Sequence, residues 1–186
     1  AVPQDAVLEA FGRLIQAGKI RVVGASNFSA VRLKSANDAA TAAGHLPRYH
    51  VLQPEYNLVS RHKFEGELQD YCVTENIGVV PYYGLASGFL TGKYRTLDDL
   101  SKSVRGGRMG DLLEGRGKAV LDAMDGVAEE TGATLAQIAL AWLIAQPGVT
   151  APIASATSAA QVDDLLPALT LELSEDQRER LDAAGA

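Results

Sequence analysis

Residues 19–29 read Lys-Ile-Arg-Val-Val-Gly-Ala-Ser-Asn-Phe-Ser, an apolar run that ends in polar residues. Residues 20–25 are rich in β-branched side chains and predict a strand. A helix is predicted before this strand at residues 5–19, and Ser29 can cap a following helix that runs to about Ala43. The order of helix, strand and helix indicates an α/β chain.

The same alternation continues along the sequence. Further strands are predicted at residues 50–53, 77–83 and 149–154, and further helices at 63–75, 120–131, 135–145, 159–166 and from Ser174 onward. A long Gly- and Arg-containing loop, residues 84–117, separates the third strand from the next helix. Parallel strands need long crossover connections, which helices usually provide, so this order predicts a parallel sheet with right-handed crossovers.

The residues after the first strand favour one of two parallel architectures. An open doubly wound sheet would normally show a G-x-G-x-x-G fingerprint there, whereas this chain has Gly-Ala-Ser-Asn at residues 24–27. An eight-unit barrel needs roughly 250 residues. We therefore predict a (β/α)8 TIM-barrel type of α/β fold, of which residues 1–186 form a single domain with about four β/α units.

Composition narrows the class of protein. With 47% hydrophobic residues, 22% charged residues and a net charge of -6, the chain is typical of a globular domain that binds no nucleic acid. No apolar run is long enough for a membrane span. The single cysteine, Cys72, lies in an amphipathic stretch and is expected to be buried in a reducing, cytoplasmic setting. The dispersed His45, His50 and His62 predict no metal site, and Trp142 is expected in the core.

Two strand ends resemble the aldo-keto reductase family, whose members are (β/α)8 barrels that use nicotinamide cofactors. Residues 19–29 are similar to the fifth strand of that family, so the resemblance implies that Ser26 and Asn27 hydrogen-bond the nicotinamide carboxamide. Residues 51–57, Val-Leu-Gln-Pro-Glu-Tyr-Asn, resemble the sixth strand, and the resemblance implies that Gln53 contacts the same amide.

Residues 79–94 are similar to the family's seventh strand and the loop that binds the cofactor pyrophosphate. The resemblance implies that nicotinamide stacks on Tyr82. Neighbouring strand residues point to opposite faces, so we expect one of Tyr82 and Tyr83 to lie in the core. The pyrophosphate contacts that the resemblance implies are the backbone of Gly84, Leu85, Ala86 and Ser87 and the cation of Lys93.

Residues 151–165 resemble the family's adenosine-phosphate site. The contact positions that the resemblance implies are Ser155, Thr157, Gln161, Asp164 and Leu165. Leu165 stands where the family commonly has an asparagine, and no Lys or Arg lies between Pro152 and Leu169. We expect Arg105 or Arg108 of the long loop to supply the missing cation. The expected cofactor is NADP, with NAD as the alternative.

The resemblance implies an NAD(P)H-dependent oxidoreductase that reduces aldehydes or ketones. The family's catalytic Asp, Tyr, Lys and His lie on its second to fourth strands, which have no counterpart in these 186 residues. We therefore predict no catalytic residue in this chain and no activity by the chain alone. Its expected partners are a small carbonyl substrate and either an N-terminal half or a second chain. The open alternative is an inactive nucleotide-binding or regulatory protein, similar to the reductase-like β subunits of potassium channels.

Overall fold

The computed structural model describes residues 2–102, 109–113 and 115–186, and its contacts divide the chain into two compact units. Unit 1 contains the chain up to Pro54, Phe64–Val80 and Pro147–Thr150. Unit 2 contains Glu55–Lys63, Pro81–Gln146 and Ala151–Ala186.

Unit 1 is built around a three-stranded parallel sheet of order β1-β2-β3, as the alternating pattern predicts. The strands are β1 Val23–Ser26, β2 Tyr49–Gln53 and β3 Gly78–Val79, and the helices are α1 Gln4–Gln16, α2 Ala30–Ala43 and α3 Glu67–Thr74. Alternate residues of β1 are buried, which is the period expected of a strand with one covered face. The sheet therefore has its core on one side of β1.

Helix α2 is fixed to β2 by a buried asparagine. Asn37 is 1% exposed, its Oδ1 accepts a hydrogen bond from the main-chain N–H of Tyr49 at 2.8 Å, and its Nδ2 donates to the Tyr49 carbonyl at 3.3 Å. The β1 and β2 ladder shifts register between Val23 and Gly24, opposite the start of β2. Asn37 thus supplies the main-chain partners of Tyr49 beside the irregular part of the ladder.

The third and fourth predicted strands are shorter than the sequence pattern suggests. Only Gly78–Val79 of the predicted residues 77–83 form a strand, and the predicted strand at 149–154 is reduced to one bridge between Val79 and Val149. Pro81 and Pro152 explain both truncations, because proline has no N–H to donate to a sheet ladder. Among the residues that the structure describes, the sheet therefore has three strands where the sequence predicted four.

The predicted helix at 63–75 is also divided. Arg61–Lys63 form a 3-10 turn, and α3 begins only at Glu67. Gly66, the residue before α3, has φ 87°, which a right-handed helix cannot accommodate. Cys72 on α3 is fully buried, as predicted, and this burial raises the pKa of its thiol to about 11.

Unit 2 is mainly helical. It contains α4 Arg116–Thr131, α5 Leu135–Ile144, α6 Ala159–Leu165 and α7 Glu175–Gly185, with 3-10 turns at Ala86–Thr91, Leu97–Lys102, Gly110–Leu112 and Leu166–Leu169. Every residue of α5 from Ile138 to Leu143 is buried. The predicted core position of Trp142 is confirmed: its indole Nε1 donates to Asp182 at 2.9 Å, and its ring centroid lies 5.3 Å from that of Tyr56.

The helix starts of unit 2 follow the predicted capping pattern. Thr134 with Gln137 and Ser174 with Gln177 each form a complete capping box. Gly132 ends α4 in the left-handed conformation. Within the described ranges, no helix combines the length and the apolar character that a membrane span needs.

Candidate functional site

The two polar strand ends of unit 1 lie side by side. Ser26 pairs with Gln53 in the parallel β1 and β2 ladder, and the Ser26 Oγ donates to the Gln53 carbonyl at 2.8 Å. Ser26 and Asn27 are exposed, and Gln53 is half-buried. The structure therefore brings together the residues that the resemblance assigns to one amide, at the carboxyl ends of neighbouring parallel strands.

Asn27 leaves β1 in the left-handed conformation, with φ 57°. Asparagine tolerates this region better than other residues with a side chain beyond Cβ. The next residue, Phe28, makes an edge contact with Tyr49 at 5.5 Å between ring centroids, and the Arg32 guanidinium lies 4.5 Å over the Phe28 ring. The left-handed turn at Asn27 is thus fixed by strand β1 before it in the chain and by the aromatic contact of Phe28 after it.

Burial and a nearby cation affect the titration of Tyr49. Burial raises the pKa of the Tyr49 phenol, and the nearby Arg32 cation partly opposes that shift. The phenol therefore stays neutral at physiological pH and acts as a packing group. The sequence alone did not indicate a role for Asn37, Phe28 or Arg32. The available signal for the aromatic contact was the apolar ring of Phe28 directly after Ser26 and Asn27.

In unit 2, the tyrosine pair differs from the expectation. Tyr83 is 51% exposed and Tyr82 is half-buried, so neither ring lies in the core and the prediction that one would is wrong. Tyr83 has φ 58°, which removes it from the regular strand alternation. Its carbonyl accepts a hydrogen bond from Asn57 Nδ2 at 2.9 Å, and its ring centroid lies 4.9 Å from that of Tyr82.

The segment after Tyr83 is a tight turn with unusual backbone. Ala86 and Ser87 both have positive φ, and the Ala86 N–H already bonds the Tyr83 carbonyl at 2.7 Å. Gly88 has φ 96°, and a Cβ placed on it would lie 3.0 Å from Lys93 Nζ. The Lys93 side chain therefore folds back over the turn, which puts a cation beside the backbone that the resemblance assigns to the pyrophosphate.

The remaining residues of this turn are unequally accessible. Gly84 is buried, and a Cβ added to it would lie 2.9 Å from Leu143 Cδ1 of α5. Ala86 is 8% exposed, whereas Leu85 and Ser87 are half-buried. The turn thus packs on α5 through Gly84 and Ala86 and presents Leu85 and Ser87 outward.

The proposed adenosine-phosphate residues lie on an exposed stretch. Every residue from Ile153 to Asp164 is exposed, and Leu165 is half-buried. Gln161 Oε1 accepts hydrogen bonds from the Thr157 N–H at 2.8 Å and from Thr157 Oγ1 at 3.1 Å. Gln161 and Thr157 are therefore brought together as a closed turn before α6, which is only seven residues long.

A residue outside the predicted set anchors the end of that stretch. Gln137 Nε2, on α5, donates to the Asp164 carbonyl at 2.6 Å. The sequence identified Gln137 only as a capping-box partner of Thr134, since nothing in the local pattern shows its second bond. Arg105 and Arg108, expected to reach a cofactor phosphate, lie outside the described residues.

The whole sequence, residues 1–186, matches the model of the Aldo/keto reductase family. The chain belongs to the aldo/keto reductase family. It is 30% identical over 184 residues to an aldo-keto reductase of Metarhizium robertsii, an alignment that covers 97% of this chain and 48% of that protein. It is 33% identical over 175 residues, 87% of this chain, to a Schizosaccharomyces pombe protein whose name provisionally assigns it to the voltage-gated potassium channel β subunits.

A solved structure supports the same fold. A thermostable aldo-keto reductase, crystallised with the inhibitor epalrestat, superposes with a TM-score of 0.75 at 24% identity over 98% of this chain and 55% of its own. The chain spans about half the length of the aldo/keto reductase relatives it matches, 48% in both of the sequences compared above. The structural likeness supports an α/β fold for this chain.

Protein metal sites are usually built from clusters of His, Cys, Asp or Glu side chains. In the described part of this chain, no group of three or more such side chains is arranged to hold a metal ion. The polar residues at the strand ends are a hydroxyl and two amides, which are poor metal ligands and good partners for an organic amide.

Proposed function

We propose that this chain provides the cofactor contacts of an NAD(P)H-dependent aldo-keto reductase that reduces aldehydes or ketones. The observation that carries the proposal is the pairing of Ser26 and Gln53 at adjacent strand ends, in a chain of this family. In parallel sheets, ligands bind outside the carboxyl ends of the strands. The proposal therefore places cofactor recognition where those ends present exposed polar groups.

The residues present fit a nicotinamide. A carboxamide has two N–H donors and one carbonyl acceptor, and the side chains of Asn27 and Gln53 carry the complementary groups. Asn27 is exposed and has a backbone conformation that turns it away from the regular strand. The bound cofactor supplies hydride to the carbonyl substrate. The role of Ser26, Asn27 and Gln53 is to bind and orient its amide.

Residues of unit 2 are proposed for the rest of the cofactor. Tyr82 offers a half-buried ring for stacking, and Lys93 lies over the turn at Gly88 as a cation for the pyrophosphate. The other proposed pyrophosphate contacts are the backbone of Gly84, Leu85, Ala86 and Ser87. The proposed adenosine-phosphate contacts are Ser155, Thr157, Gln161, Asp164 and Leu165, with Arg105 as the cation that favours NADP over NAD.

The proposed reaction also needs groups beyond these contacts. No residue of this chain resembles the family's catalytic Asp, Tyr, Lys and His, and the chain spans about half of its relatives. We therefore propose that residues 1–186 are the C-terminal half of a (β/α)8 barrel, inactive alone, with the proton donor supplied by an N-terminal half or a second chain. A cytoplasmic location stays a prediction.

The edge of the sheet supports the need for a partner. Among the strands described, β1 is paired with β2 only, and Val22 just before it is 55% exposed. An open parallel edge beside exposed apolar surface favours addition of another strand. Sedimentation of the purified protein tests this point. The expected result is association that depends on concentration, or the larger mass of a chain long enough for a whole barrel. A stable 19.6 kDa monomer would contradict the need for a partner.

A second function is favoured by one comparison. The Schizosaccharomyces pombe relative is named for a channel β subunit rather than for a reductase. On this alternative, the chain binds the dinucleotide and serves as a regulatory or interaction partner without turnover. The cofactor residues would be the same under both proposals.

Fluorescence titration with NADPH and with NADH, followed by a turnover assay on a panel of aldehydes and ketones, separates the two functions. With the N-terminal half or second chain present, binding with oxidation of the cofactor on carbonyl addition is the result expected for a reductase. Binding without turnover, when the complete protein is used, supports the regulatory alternative. Failure to bind either dinucleotide contradicts both.

A further inference from the structure

Gln137 makes two hydrogen bonds that serve different elements. Its Oε1 accepts from the Thr134 N–H at 2.9 Å, which completes the capping box of α5, and its Nε2 donates to the Asp164 carbonyl at 2.6 Å. Both ends of one side-chain amide are therefore used, and Asp164 lies 27 residues beyond Gln137 along the chain. The first bond belongs to α5, and the second fixes the C-terminal end of α6.

The two elements joined by Gln137 differ in how firmly they are held. Helix α5 is buried from Ile138 to Leu143, and this packing holds the start of the helix firmly. The stretch from Ile153 to Asp164 is exposed throughout, and its side chains make local hydrogen bonds, such as those between Thr157 and Gln161. A bond from the rigid element to Asp164 therefore restricts where the exposed stretch can lie.

We propose that Gln137 is a positioning residue for the adenosine-phosphate end of the cofactor. It holds Asp164 and the adjoining Leu165 in place through the main chain, and with them the turn of α6 that carries Gln161. This inference rests on the proposed cofactor function, since it names how one part of that site is held. Gln137 itself touches neither cofactor nor substrate in the proposal.

The chemistry of the side chain explains why glutamine is required. A capping box accepts Glu as well as Gln, because only the acceptor oxygen is used toward the N-cap N–H. A carboxylate near a helix N-terminus is also favoured by the helix dipole. The bond to the Asp164 carbonyl, in contrast, needs an N–H donor, which ionised Glu lacks. Gln137→Glu thus keeps the cap and replaces the positioning bond by an unfavourable contact between the carboxylate and the Asp164 carbonyl oxygen.

The experiment compares Gln137→Glu with Thr134→Ala in the purified protein. Thr134→Ala removes the Oγ1 that accepts from the Gln137 N–H and leaves the bond to Asp164 in place. Dissociation constants for NADPH and NADH are measured by fluorescence titration, with hydrogen exchange of residues 157–166 as a second readout. Loss of one charge-free hydrogen bond predicts binding weaker by about fivefold in Gln137→Glu.

The expected result separates positioning from capping. Gln137→Glu should weaken binding and speed exchange at residues 157–166 with little change in the melting temperature, whereas Thr134→Ala should lower the melting temperature and keep the affinity. Equal affinities in Gln137→Glu and the unmodified protein would overturn the inference alone. A Gln137→Glu protein that does not fold would also overturn it, because Gln137 would then support the core. Absence of dinucleotide binding in the unmodified protein would overturn the proposed function with it.

Discussion

The strand ends at Ser26 and Gln53 and the exposed stretch from Ile153 to Asp164 carry similar polar side chains but are held in different ways. The strand ends are fixed by the backbone ladder of β1 and β2, and the buried Asn37 anchors β2 at its other end, at Tyr49. The exposed stretch has a main-chain bond at its start, from the Ile153 N–H to the Pro81 carbonyl at 2.9 Å, and Gln161 and Gln137 hold the rest by side-chain bonds. A region held by a backbone ladder keeps its position when a surface side chain is substituted. A region held by side-chain bonds can lose its position when a single residue is substituted.

The largest expected effect is on stability and comes from replacing the buried asparagine that anchors β2. Asn37→Leu removes both bonds to the Tyr49 main chain and leaves a buried N–H and carbonyl without those partners, which should cost about 3 kcal/mol in the free energy of unfolding. Urea denaturation measures this. The control is Asp38→Ala, which removes only an exposed ion pair with Lys34 and should cost below about 0.5 kcal/mol. Similar losses in both variants would refute the anchoring role of Asn37.

A second test concerns the cofactor rather than stability. Tyr82→Ala should weaken NADPH or NADH binding by about tenfold through lost stacking, since base and aromatic contacts are worth roughly 1–3 kcal/mol. Tyr82→Phe keeps the ring and should bind nearly as well as the unmodified protein. His62→Ala, at an exposed site, should leave the affinity unchanged. If His62→Ala weakened binding as much as Tyr82→Ala, the stacking assignment would be wrong.

A smaller effect on stability is expected from a substitution at the strand end itself. Ser26→Ala removes the bond from Oγ to the Gln53 carbonyl, while the β1 and β2 ladder remains. Because Ser26 is exposed, the expected cost is at the low end for a hydrogen bond, about 0.5 kcal/mol in the free energy of unfolding, and below that of Asn37→Leu. Paired denaturation curves give the comparison. A cost equal to that of Asn37→Leu would show that the side chain, and not the ladder, holds the strand end.

The smallest effect on stability is expected in the exposed stretch. Gln161→Ala opens the turn to Thr157, but water can replace the bonds at an exposed site, so the free energy of unfolding should change by less than about 0.5 kcal/mol. Under the proposed function, dinucleotide should slow hydrogen exchange of residues 154–164 in the unmodified protein and less so in Gln161→Ala. Protection that is identical in both would remove Gln161 from the proposed contacts.

The sequence predicted most of what the backbone pattern controls. Apolar runs and caps located the parallel strands and both capping boxes, because those signals are local. Pro81 and Pro152 shorten two strands, and the apolar pattern alone does not show this. Tyr83 departs from the expected alternation of side chains because its φ is positive. The second bond of Gln137 joins residues far apart in the chain, and such a contact has no local signature.

The buried cysteine has a practical consequence. Thiol reagents attack the thiolate, and the pKa of Cys72, raised by burial to about 11, keeps that species scarce at neutral pH. Cys72 is also the only cysteine in the sequence. A fluorophore or spin label can therefore be attached to a cysteine introduced at an exposed site, such as Ala160 on α6, without first removing the native thiol. Under the proposed function, a dye at that single site would report cofactor binding.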